Sequence, residues 1–103
     1  MRPVEDAMGQ LPIGRAKMYW LIELYLSGHH DVGTFCKEFE QTYNFEVDRS
    51  KLAANEQTVF RDLFDKVVLY SPFENELKAV PFYESAGQIK AAVIAARSNL
   101  AVP

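Results

Sequence analysis

Apolar side chains recur every three or four positions along most of this chain, and no segment alternates strictly as a strand would. From Arg15 to Ser27, the residues Met18, Leu21, Ile22, Tyr25 and Leu26 form one helical stripe, and Gly28 supplies a natural stop. Trp20 and Leu24 lie off that stripe, so this helix is expected to be buried on more than one side. Asp31 is placed to cap a second helix, in which Val32, Phe35, Cys36, Phe39 and Tyr43 fall within an arc of roughly 100°. Asn44 fits its end. The spacing predicts a third and longest helix over Leu52 to Tyr70, with Val59, Phe60, Leu63, Phe64 and Val67 inward. Asp62 with Lys66, and Arg61 with Asp65, are spaced as i, i+4 ion pairs on its outer side.

Pro72 ends that helix, and Pro81 argues against a regular helix through residues 71 to 84. A connector of this length, rich in rings and acids, suggests a functional segment. Ser85 and Gln88 match a capping box opening a last helix to about Asn99, with Ile89, Val93, Ile94 and Ala96 inward. The expected fold is all-α, an up-and-down antiparallel four-helix bundle. Pro3, Gly9, Pro12 and Gly14 mark residues 1 to 14 as an irregular lead-in, leaving 15 to 103 as a single helical domain.

A chain of 103 residues buries enough surface to need no metal or disulfide. The single cysteine, Cys36, excludes an internal disulfide and suggests a cytoplasmic protein. No run approaches the length of a membrane span. Met1 to Asp6 is acidic where a signal peptide carries its apolar core, so the mature protein is expected to begin near residue 1 and stay in the cell. Net charge is −3, which makes nucleic acid and anionic membranes poor partners and a basic protein surface a good one. Residues 21 to 50 hold six acids against two bases, and residues 51 to 86 hold six against four. The last seventeen residues hold Lys90 and Arg97 and no acid.

Catalytic signatures are missing. His29 and His30 are adjacent on a turn and point apart, so they read as solvated loop histidines rather than as a chelating pair. Cys36 lies on the apolar stripe with no histidine to activate it. The glycines are isolated, so no phosphate-cradling loop is formed. Glu56 falls near the apolar stripe of the third helix and reads as a first-turn residue capping backbone N–H groups. No catalytic residue, cofactor or metal is therefore expected, and a small hydrolase using Cys36 or the carboxylates is disfavoured.

The acids without local partners remain. Glu38 has no base three or four positions away, and Glu46, Asp48, Glu74 and Glu76 lie at helix ends or in connectors. Tyr43, Phe45, Tyr70 and Phe73 lie beside them. A ring filling a pocket while a carboxylate takes a charge-assisted bond suits a partner rich in Lys and Arg. The expected partner-binding residues are Glu38, Tyr43, Glu46, Asp48, Tyr70, Phe73, Glu74 and Glu76.

Several of these stretches resemble the colicin D-type immunity proteins, bacterial self-protection proteins that include antidotes of contact-dependent growth-inhibition systems. The resemblance runs through Leu24 to Gly28, Phe35 to Glu40, Leu63 to Val67, Tyr70 to Phe73 and the final helix, covering about residues 15 to 98. It implies a small helical bundle that binds the C-terminal toxic domain of a cognate toxin one to one. In the colicin D case that domain is a ribonuclease acting on tRNA, and the antidote's negative surface covers the basic substrate site. It implies no catalytic residues, and the basic last helix departs from a uniformly acidic mimic. A non-enzymatic helical interaction or regulatory module without a toxin partner is the alternative.

Overall fold

The computed structural model describes residues 12–100. Four long helices, α1 (Gly14–Leu26), α2 (Val32–Phe45), α3 (Ala54–Val67) and α5 (Ala86–Leu100), form an up-and-down antiparallel bundle, with a short α4 (Glu74–Ala79) between the last two. Each long helix packs on the next, and α5 closes the ring onto α1. Among the described residues the only β pairing is one isolated parallel bridge, Tyr70 to Glu84.

Local chemistry sets the ends. At Gly28, φ is +87°, and the chain closes α1 with His29 N–H donating to Leu24 C=O at 2.8 Å and Gly28 N–H to Tyr25 C=O at 3.1 Å. This is the paired end motif for which glycine is favoured, because a Cβ disfavours positive φ. Asp31 Oδ1 accepts from Thr34 N–H at 2.7 Å and caps α2. Ser85 and Gln88 exchange reciprocal bonds of 2.8 and 3.2 Å at the start of α5.

The third helix is shorter than its periodicity predicts. Asp48 caps a 3-10 turn over Arg49–Lys51, Leu52 and Ala53 stay extended, and Tyr70 leaves the helix for the bridge. Residues 1–11 of the expected lead-in lie outside the described residues.

Aromatic rings dominate the core. Tyr25 stacks on Phe35 at 4.9 Å, Phe35 meets Phe39 at 5.4 Å, and Tyr43 stacks on Phe64 at 4.7 Å. Met18, Leu21, Ile22, Phe60, Ile89 and Val93 complete it from the other helices. Trp20 packs partly buried against this core. One predicted inward residue is not inward: Ile94 is 52% exposed, because α5 contacts its neighbours through the Ile89, Val93 and Ala96 edge. The two i, i+4 ion pairs foreseen on α3 do not close within 4.0 Å. The ion pairs among the described residues run instead from Arg15, Lys17 and Arg97 to acids on other helices.

Candidate functional site

The connector between α3 and α5 forms a closed lobe. Glu84 N–H donates to Leu69 C=O at 2.9 Å and Ser71 N–H to Glu84 C=O at 3.0 Å, so the chain returns to where it left the bundle. Inside the lobe, Phe73 caps α4 and its carbonyl accepts from Leu77 N–H at 3.0 Å. Ser71 is buried and braces the turn. Its hydroxyl donates to Glu76 Oε1 at 2.6 Å and accepts from Phe73 N–H at 3.2 Å.

Two rings stand out of this frame. Phe73 is 57% exposed and Phe82 is 63% exposed, with Phe82 set edge-on to Tyr83 at 5.5 Å. An apolar ring facing water on a backbone pinned at both ends is costly for the free protein and suited to a partner's pocket. Glu74, Glu76 and Glu84 belong to the same lobe, and among the described residues none has a cation within 4.0 Å. Lys78 is the lobe's one base.

Tyr70 anchors the lobe to the bundle. Its ring packs partly buried against the core, and burial is the first cause of its raised hydroxyl pKa, followed by Cys36 and Asp31. Cys36 itself is buried, and burial pushes its thiol up to about 12.

The eight residues expected to meet a partner do not form one site. Tyr70, Phe73, Glu74 and Glu76 share the lobe at one end of the bundle. Tyr43, Glu46 and Asp48 lie at the far end of α2, a helix of 14 residues, which spans about 20 Å at 1.5 Å per residue. Glu38 lies between. Tyr43 is corrected to the core: it is 5% exposed, its ring packed between Phe39, Phe64 and the Arg49 guanidinium. Glu46 and Glu38 are engaged from α1 by Lys17 Nζ, at 3.1 and 4.0 Å. Asp48 spends its carboxylate on the Ser50 N–H at 3.1 Å and hydroxyl at 2.6 Å, bonds that lower its pKa.

Comparison with protein-family models, curated proteins and solved structures finds no match. The lobe is therefore read from its own geometry. Phe82 belongs to it and was not among the eight; its position directly after Pro81 in a ring-rich connector was the available signal.

Among the described residues no group of three His, Cys, Asp or Glu side chains is placed to hold a metal. No helix there is long and apolar enough to cross a membrane. His30 differs from its expected solvated state: it is half-buried, and its Nδ1 has no partner among the described residues, while His29 is exposed and bonded to Ser27 Oγ at 2.8 Å.

Proposed function

We propose that this chain is an immunity-type inhibitor acting in the cytoplasm. It binds the C-terminal toxic domain of a cognate bacterial toxin, a tRNase or other nuclease, and covers its basic substrate site. It makes and breaks no covalent bond. The observation that carries this reading is the lobe, where Phe73 and Phe82 are exposed on a backbone closed at Leu69, Ser71 and Glu84 and flanked by carboxylates that have no cation within 4.0 Å among the described residues. Rings of this kind supply the anchors of an interface, and unpaired acids steer encounter with a cationic surface. A one-to-one complex of ordinary stability would bury roughly 1,200–2,000 Å².

The test is co-expression with the product of the adjacent gene, followed by a tRNA cleavage assay with and without this chain. A stoichiometric complex with cleavage abolished is expected. Failure to co-purify, or a tight partner whose contact surface is acidic, overturns the proposal. A complex that leaves no nuclease to inhibit would favour the interaction module without a toxin.

A further inference from the structure

A concavity lies at the end of the bundle opposite the lobe, where the 3-10 turn meets the start of α3. It encloses about 220 Å³ and is lined by Tyr43, Arg49, Leu52, Gln57 and Arg61. Two guanidinium groups thus share one small cavity in a chain of net charge −3. Among the described residues neither has a carboxylate within 4.0 Å. Arg61 does not close the ion pair with Asp65 that its spacing allows, and it lines this cavity instead.

The wall is organised in advance. The Arg49 guanidinium carbon lies 4.2 Å from the Tyr43 ring centroid, and Nη2 donates to the Tyr43 carbonyl at 3.4 Å and to Asn44 Oδ1 at 3.3 Å. Gln57 Nε2 donates to the Leu52 carbonyl at 3.0 Å, which holds the opposite side. The Tyr43 side chain is 5% exposed, and its hydroxyl, which stays within reach of solvent, has no hydrogen-bond partner among the described residues. The Tyr43 phenol, the Arg49 guanidinium with one arm already engaged, and the Arg61 guanidinium, which has no partner among the described residues, thus belong to one lining.

We infer that this cavity is a binding site for a phosphate group. A planar carboxylate fits one guanidinium, whereas a tetrahedral phosphate offers three or four oxygens and can take the remaining N–H groups of both arginines and the phenol together. The site is independent of the lobe and of whatever protein binds there.

The experiment is a titration of the intact chain at constant ionic strength, followed by amide chemical shifts. The probes are inorganic phosphate, glycerol 1-phosphate and acetate. Saturable shifts centred on Arg49, Gln57 and Arg61 are expected with a phosphate probe, at least tenfold tighter than with acetate. Inorganic phosphate binding as well as the ester identifies the free ion as sufficient; binding of the ester alone identifies a phosphomonoester. Arg61→Ala, at an exposed side chain with no partner to lose, is expected to weaken binding at least tenfold, while Lys90→Ala leaves it unchanged. Equal binding of acetate, equal weakening by both variants, or no saturation with either phosphate probe overturns the assignment.

Discussion

Arg15 in the first turn of α1 grips Glu56 in the first turn of α3 with both arms of its guanidinium. Nε donates to Oε1 at 3.0 Å and Nη2 lies 2.6 Å from Oε2. The same carboxylate accepts from the Tyr19 hydroxyl and, at 2.9 Å, from Ala53 N–H. Glu56 thus caps its own helix, as its position predicts, and also ties that helix to α1. It is 3% exposed, so its charge is acceptable only because every partner is present.

Removing that acceptor should be costly. Glu56→Ala leaves the Ala53 N–H, the Tyr19 hydroxyl and Arg15 without their shared partner, and the expected loss is about 1–3 kcal/mol. Urea unfolding at neutral pH measures it.

The same site should couple stability to acid. Hydrogen bonding from Arg15 is the largest cause holding the Glu56 carboxyl at about 2 instead of 4.5. A group whose pKa is depressed by folding contributes stability above its unfolded value and loses it as the pH falls toward the folded value. The stability difference between the parent and Glu56→Gln is therefore expected to be full above about pH 4.5 and to shrink between there and about pH 2. Denaturant midpoints across that range test it.

Loss of one core ring should loosen the whole bundle. Phe39 is fully buried and touches Phe35, Tyr43 and Phe60, so Phe39→Ala is expected to cost about 3–5 kcal/mol through lost burial and the cavity left behind. Calorimetric melting provides the measurement.

The Cys36 thiol should be inert in the folded chain. With its pKa pushed up to about 12 by burial, it carries almost no thiolate at pH 8. A disulfide reagent at pH 8 should react slowly with the native protein and rapidly after unfolding.

At the lobe, Phe73→Ala and Phe82→Ala should each weaken the proposed partner complex by about 2 kcal/mol, roughly thirtyfold, with no change in the unfolding midpoint. Glu74→Lys should act chiefly on the association rate and its salt dependence. Glu76 is a poorer probe, because its bond to Ser71 supports the turn itself. Surface-binding kinetics with the co-purified partner distinguish the two effects.

Much of the bundle was legible because helix periodicity and caps are local. Asp31, Gly28 and the Ser85–Gln88 box lie where their residue types predict. The short α4 was hidden between Pro72 and Pro81, although Glu74 and Glu76 early and Lys78 late follow the charge order a helix dipole favours. Tyr43 illustrates two local signals in conflict: its place on the α2 stripe predicted burial, its acidic neighbours suggested a surface, and packing prevailed. Lys17 was invisible as a partner of Glu46 because the two are 29 positions apart. The bridge from Tyr70 to Glu84 joins segments with no strand pattern, so nothing local announced it.

That bridge has an evolutionary consequence. A segment that exits and re-enters a scaffold at adjoining points behaves as a cassette. Lengthening or shortening it costs little in closure entropy and need not shift the helices beneath. The lobe's surface can then be rebuilt in length and sequence while the helices beneath it keep their packing.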